Sequence, residues 1–128
     1  MAYVSWRDER REVSSLVDLD ALLDRIHADG VGGKPALACL ELPAGDSLAI
    51  GLGREVSVLN FVSSSANPPY FSSRGDNTDE EVTVHFEFMG DWSEYPLTRT
   101  ISLDAARAAL RYFWDTGKLD PSIRWEEV

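Results

Sequence analysis

The chain has 128 residues and a formal net charge of −10, from 12 Lys and Arg against 22 Asp and Glu. This length predicts a single domain over residues 1–128, and a hydrophobic content of 44% is enough to build its core. The negative charge disfavours binding to nucleic acid or to an anionic membrane surface, and it favours a basic protein partner.

The N-terminus and the cysteine content indicate where the protein acts. Residues 1–11 carry charges where a signal peptide needs an apolar stretch, and no apolar run approaches the roughly 18 residues of a membrane span. Cys39 is the only cysteine, which excludes an internal disulfide, and we interpret it as a small core residue of a reducing compartment. We therefore expect a soluble cytoplasmic protein.

The first predicted helix begins at Asp18 as its N-cap and ends at Gly30 in the C′ position. His27 lies in the predicted last turn, where a cation complements the helix dipole. The helical spacing of apolar residues predicts one buried stripe, formed by Leu19, Leu22, Leu23 and Ile26.

The second predicted helix begins at Ser102 as its N-cap and ends at Gly117. Arg107 and Arg111 are four residues apart, and we place them on the outer face. Its predicted buried stripe consists of Ala106, Ala109, Leu110 and Phe113.

The segments between the helices predict antiparallel strands, because apolar and polar residues alternate and the connections are too short for parallel crossovers. The predicted strands cover residues 36–42, 47–53, 56–63, 82–88 and 97–101, with a further edge strand in 3–13 and an extended segment at 123–128. The fold class is therefore α+β. We expect a curved antiparallel sheet of about five to seven strands with two main helices packed on one face.

No set of residues predicts catalysis or metal binding. With two histidines and one cysteine there is neither a zinc set nor a base beside a nucleophile, and we interpret His85 as a cross-strand polar residue. The acidic segment from Asp76 to Glu81 lacks the spacing of a calcium loop and predicts a solvated turn. Gly51 and Gly53 are more typical of a strand bend than of a phosphate loop. We expect no enzyme activity and no cofactor.

Aromatic residues in polar segments point to a protein interface instead. Trp92 and Tyr95 lie in the polar stretch 90–96, which we predict to be a loop. Aromatic anchors with a rim of charge are typical of protein–protein contacts. The alternative is that Trp92 folds back over a sheet edge.

Several motifs resemble a known family. They are Val58-Leu59-Asn60-Phe61, the run from Tyr70 to Asp76, Glu94-Tyr95-Pro96, the helix 105–113 and the ending from Thr116 to Trp125. From about Leu37 to Glu127 the sequence resembles the Imm1 family of bacterial immunity proteins, especially its actinobacterial members. Where many members read TG-x-R-P, this chain reads Lys118-Leu119-Asp120-Pro121 after Thr-Gly, so the arginine is lost and the proline is displaced.

The resemblance implies an immunity protein of a polymorphic toxin system. Such a protein binds a cognate toxin, often a nucleic-acid deaminase, and blocks it sterically without turnover of its own. A toxin that acts on nucleic acid tends to have a basic cleft, where a protein of charge −10 can dock as a charge mimic.

We predict that the toxin contacts two polar segments between strands. Their residues are Asp76, Asp79, Glu80, Glu81, Asp91, Trp92, Glu94 and Tyr95. We interpret the shared motif residues Asn60, Ser73, Gly75 and Trp125 as structural. Asn60 is expected to hydrogen-bond the backbone of a neighbouring loop, Gly75 to adopt a positive φ, and Trp125 to seal the core.

Two other functions remain open from the sequence. One is a non-catalytic interaction or regulatory module unrelated to toxins. The other is an enzyme or small-ligand binder with a pocket near Asn60, Tyr70 and His85, which a deep polar cavity would favour.

Overall fold

The computed structural model describes residues 1–128, which form eleven β-strands and two α-helices. The strands are β1 (Ala2–Trp6), β2 (Glu9–Val13), β3 (Ala36–Glu41), β4 (Ser47–Leu52), β5 (Val56–Ser57), β6 (Leu59–Val62), β7 (Phe71–Arg74), β8 (Thr83–Phe88), β9 (Asp91–Pro96), β10 (Ile101–Ser102) and β11 (Arg124–Glu127). The helices are α1 (Leu16–Val31) and α2 (Leu103–Thr116). Neither helix is both long and apolar enough to cross a membrane.

Nine of the strands form one sheet, which is larger than the sequence predicts. Seven strands lie side by side in the order β11-β7-β6-β4-β3-β1-β2, and β5 pairs separately with β10. The β8–β9 hairpin joins the large sheet through a short parallel pairing of Glu87 with Ala36 in β3. All other pairings are antiparallel, so the predicted α+β class is confirmed.

Both helices pack on one face of this sheet, as predicted. Alternate residues of the central strands, such as Leu40, Leu48 and Ile50, point toward the helices and are at most 1% exposed. The same core of 18 buried residues includes the stripes of α1 and α2. Burial of these apolar side chains is the main stabilising contribution to the fold.

The β8–β9 hairpin covers part of the opposite face. Leu37, Val58 and Phe86 form a small second core there, and Val84 and Tyr95 pack against it. Cys39 lies on this opposite face, where it is partly buried but belongs to neither apolar core, so its prediction as a core residue is wrong.

The predicted ends of α1 are wrong. Ser15 is the N-cap, and its hydroxyl accepts a hydrogen bond from the backbone N–H of Asp18, which lies in the first turn. Gly30 is a buried residue inside the helix rather than its C′ residue. A glycine is required there because a Cβ would lie 2.9 Å from Cα of Gly53, in the connection after β4. The prediction that His27 complements the dipole is also wrong, since its Nδ1 accepts the N–H of Gly53 at 2.8 Å.

The predicted ends of α2 are confirmed. The Ser102 hydroxyl accepts the N–H of Ala105, and Gly117 ends the helix with a φ of 72°. Of the two arginines predicted on the outer face, Arg111 is exposed, whereas the side chain of Arg107 is only 12% exposed. Arg107 binds Asp20 and Asp24 of α1, and Arg111 also binds Asp20. The arginines therefore link the two helices.

Several predicted strands differ from the observed ones. Residues 91–96, predicted as a loop, form β9, whereas the predicted strand 97–101 is a short 3-10 turn at Leu97–Arg99 followed by β10. The predicted strand 56–63 is interrupted at Val58, and the predicted edge strand 3–13 is a hairpin of β1 and β2. Strand β7 was not predicted, while the extended C-terminal segment is confirmed as β11.

Candidate partner-binding site on the β8–β9 hairpin

The predicted contact residues lie on the β8–β9 hairpin and on the turn that precedes it. The two strands pair from Thr83 with Pro96 to Phe88 with Asp91, so the connecting loop has only two residues. Met89 and Gly90 form this loop with φ values of 53° and 92°. Positive φ at both positions is typical of the tight type I′ turn, whose twist matches that of paired strands.

The alternation of side chains gives the hairpin an inward and an outward face. Phe86 and Tyr95 face inward, with ring centroids 6.3 Å apart. Burial raises the pKa of Tyr95, although the side chains of Ser93 and Asn60 lower it by hydrogen bonding. Tyr95 thus contributes to the hairpin's packing on the sheet, and only part of it is accessible to a partner.

The outward face carries Trp92, whose side chain is 49% exposed. The His85 ring lies edge-on to the indole at 6.0 Å between centroids, and Lys34 Nζ lies 5.6 Å from the indole centre. His85 also faces Glu94 across the strands, with 3.6 Å between Nε2 and Oε2. This geometry confirms His85 as a cross-strand polar residue.

Strand β8 is fixed to the body of the protein. Arg7 pairs with Glu87 at 3.0 Å between Nε and Oε1, and it also donates to the carbonyl of Lys34. The N–H of Glu87 donates to the Pro35 carbonyl, and the His85 carbonyl accepts from Arg54 Nε. The hairpin is therefore held along β8, which leaves β9 on the outside.

The acidic turn before β8 is ordered by hydrogen bonds between an Asp side chain and the backbone of the turn. The Asp79 carboxylate accepts the N–H groups of Glu81 and Val82, as expected of a turn-forming Asp. Asp76 forms an ion pair with Arg124 at 2.6 Å between Oδ1 and Nη2. Glu80 and Glu81 are exposed and form no ion pair, so their charge faces solvent.

Four of the eight predicted residues lie on β9 and four lie on the acidic turn before β8. The acidic turn adjoins the open end of the hairpin near Thr83 and Pro96, while Asp91 and Trp92 lie near the tip. All eight except Tyr95 are exposed. Whether they contact a partner stays a prediction.

Sequence reasoning missed two apolar residues at the tip. Met89 is 62% exposed and Phe88 is 39% exposed. Phe88 continues the apolar alternation of β8, but it is exposed whereas Phe86 is fully buried. Gly90, directly after the alternating segment 82–88, was a sequence signal for a tight turn at this point.

The shared motif residues have structural roles, in part different from the predicted ones. Ser73 bridges the Leu59 N–H and the Arg99 carbonyl, and Trp125 donates to the Asp120 carbonyl while packing against the core. Gly75 does not have a positive φ; it is needed because a Cβ would overlap the carbonyl oxygen of Thr100.

The predicted role of Asn60 as a partner of loop backbone is wrong. Asn60 lies on β6, and its side chain lies beside the hydroxyl of Tyr95. It therefore supports the packing of β9 on the sheet.

The alternative ligand pocket does not form around its predicted residues. Tyr70 donates to the Ala66 carbonyl, and His85 lies on the outward face of the hairpin. A cavity of about 620 Å³ lies elsewhere, lined in part by Glu55, Arg74 and Arg124, and contains none of the three residues.

Comparison with known families covers nearly the entire chain. Residues 7–127 match the family model described as Immunity protein Imm1. No curated protein matches the chain. Since the matched region includes the hairpin and both helices, the chain belongs to the Imm1 family of immunity proteins.

Proposed function

We propose that this protein binds a cognate toxin domain, a nucleic-acid deaminase of a polymorphic toxin system, and inhibits it by covering its basic substrate cleft. Membership of the Imm1 family makes toxin immunity its function, and immunity proteins of this family are not enzymes. Family membership does not specify the class of toxin, the steric mechanism or the toxin-binding surface, which we propose in addition. We also propose that residues 1–128 act as one domain in the cytoplasm.

The charge of one segment carries this proposal. Residues 76–95 contain no Lys or Arg, and their seven carboxylates are Asp76, Asp79, Glu80, Glu81, Glu87, Asp91 and Glu94. Two of these are paired with arginine, Asp76 with Arg124 and Glu87 with Arg7. The remaining five project a negative field that would steer a basic cleft toward the hairpin.

The exposed indole of Trp92 provides an anchor within this field. Trp is enriched among the few interface residues that contribute most to binding, and these residues are surrounded by a polar rim. Trp92 has Glu94 two residues away on the same outward face and Asp91 beside it. An aromatic centre with a carboxylate rim fits an apolar depression next to basic residues.

The hairpin is also preorganised for binding. Its tight loop, the buried Phe86 and the Arg7–Glu87 ion pair restrain its conformation. A rigid element loses less conformational entropy on binding than a mobile loop. Rigidity therefore supports inhibition by occlusion, in which the hairpin occupies space that the substrate needs.

Co-expression tests this proposal. The toxin domain from the neighbouring reading frame is induced in a susceptible host with this protein or with an empty vector. We expect survival only with this protein, a co-purifying complex, and loss of deamination of a single-stranded oligonucleotide by the purified toxin as the complex forms.

A control variant separates specific binding from general charge. Asp115→Lys changes an exposed carboxylate of α2 and should protect fully, whereas Glu80→Lys, which changes the net charge by the same amount, should protect poorly. Death of the host despite wild-type protein, or a toxin that modifies no base, would contradict the proposal.

A further inference from the structure

Strand β9 has one unpaired edge. It pairs with β8 on one side, and no strand pairs with it on the other. An exposed edge presents backbone N–H and C=O groups that can pair with a strand of another chain. Which residues present them follows from the register of the hairpin.

The two-residue loop makes Phe88 and Asp91 a hydrogen-bonded pair, after which hydrogen-bonded and non-hydrogen-bonded pairs alternate. Glu87 with Trp92 and His85 with Glu94 are therefore non-hydrogen-bonded pairs. Contacts on the other side of β8 agree, because the Glu87 N–H donates to Pro35 and the His85 carbonyl accepts from Arg54. The N–H and C=O groups of Trp92 and Glu94 thus point to the free edge.

The charges beside this edge favour one kind of strand. Asp91 and Glu94 are exposed, and β9 has no basic residue. A second copy of β9 would bring carboxylates of the two strands together, which is destabilising. A strand with Lys or Arg and an apolar residue would instead pair its side chains with Glu94 and Trp92.

We propose that the cognate toxin docks by adding a basic β-strand to the free edge of β9, with backbone hydrogen bonds to Trp92 and Glu94. This inference rests on the proposed function and specifies how the toxin is bound. In strand addition, backbone hydrogen bonds supply affinity and the alternating side chains supply specificity. The exposed Trp92 lies beside the added strand and covers part of it.

Two substitutions at one position test the backbone contribution. Glu94→Ala and Glu94→Pro both remove the carboxylate, but only Pro also removes the N–H at the free edge. That N–H makes no bond to β8, so the ladder of the hairpin is retained. We expect Glu94→Ala to weaken toxin binding a few-fold and Glu94→Pro to weaken it at least tenfold more. Equal affinities of the two variants, with matching circular dichroism, would overturn strand addition.

Amide hydrogen exchange of the wild-type protein provides a second test that needs no substitution. In the free protein the Trp92 and Glu94 amides should exchange rapidly, and in the toxin complex they should be protected. Rapid exchange of both amides in a stable, neutralising complex would overturn strand addition while leaving the proposed function standing. A wild-type protein that binds no toxin would overturn both. A dimer of the free protein that Glu94→Pro dissociates would identify a second copy as the occupant, and would overturn the toxin-strand proposal.

Discussion

The ring of Phe86 occupies the space directly over Gly51, with Cε1 and Cζ each 2.7 Å from the point where a Cβ on Gly51 would lie. Phe86 belongs to β8 and Gly51 to the central strand β4, so this contact fixes the candidate binding hairpin to the sheet. Phe86 is fully buried and cannot move aside without opening the second core. The absence of a side chain at Gly51 therefore determines where the hairpin lies.

We predict that Gly51→Ala destabilises the protein by about 1–3 kcal/mol, because the added methyl overpacks a buried ring. The hairpin should shift, so toxin affinity should fall as well. Chemical denaturation and calorimetric titration with the toxin measure the two effects. Gly32→Ala is the control, since its Cβ would meet no atom closer than 3.8 Å. An unchanged denaturation midpoint for Gly51→Ala would show that Phe86 has room to move.

Trp92→Ala should weaken toxin binding by about 1–2 kcal/mol if the indole is the anchor of the interface. Stability should change little, because half of this side chain is already exposed in the free protein. Titration calorimetry of the complex checks the affinity. Val17→Ala, at an exposed apolar residue of α1, is the matched control and should bind normally. Unaltered affinity of the Trp92 variant would remove it from the site.

Reversing one charge of the acidic turn should act mainly on the association rate. We expect Glu80→Lys to lower the association rate constant roughly threefold to tenfold at low ionic strength, and less at high salt, because steering is screened. Surface plasmon resonance at two salt concentrations measures this. Asp115→Lys makes the same change of charge on α2 and should have a much smaller effect. A salt-independent loss of affinity would indicate a direct contact of Glu80 instead of steering.

The sequence predicts α2 well and the candidate site less well, for physical reasons. Ser102, the buried stripe and Gly117 are local signals that no distant contact overrides. In α1, by contrast, Asp18 resembles an N-cap although Ser15 is the actual one. Gly30 resembles the residue after a helix, but it is a glycine because the backbone of Gly53 packs against it. Close approaches between distant segments are not visible in a local pattern.

Strand β9 shows the same limit at the candidate site. Its outward residues Trp92 and Glu94 are exposed, and one of its inward residues, Ser93, is polar. Tyr95 is therefore the only residue whose apolar ring indicates that one face of the segment is covered. The segment therefore resembles a loop. The sequence does show that the segment is aromatic and acidic, because composition can be read without knowing which strands pair.

Removing Arg107 should uncouple the two helices. Its side chain is only 12% exposed and lies within 3.2 Å of Asp20 and 2.9 Å of Asp24. We expect Arg107→Ala to cost about 1–3 kcal/mol, since charge-assisted hydrogen bonds are lost and Asp20 keeps only Arg111 as a partner. Urea denaturation measures the loss. Arg25→Ala, which removes an exposed arginine of α1 without an ion pair, should cost less than about 0.5 kcal/mol.

Alkaline pH should destabilise the protein through Cys39. Burial raises the pKa of this thiol, and its neighbour Glu41 raises it further, whereas a hydrogen bond with Ser47 lowers it. A pKa that is higher in the folded than in the unfolded state means that the unfolded chain loses its proton first. The stabilising effect of the neutral thiol is therefore complete below the ordinary cysteine pKa of about 8.5, and it is lost as the pH rises through the folded value. We expect the urea midpoint of the wild type to fall between pH 8 and 10, and that of Cys39→Ala to fall less over the same range. Parallel pH profiles of the two proteins would show that the thiol titrates alike in both states.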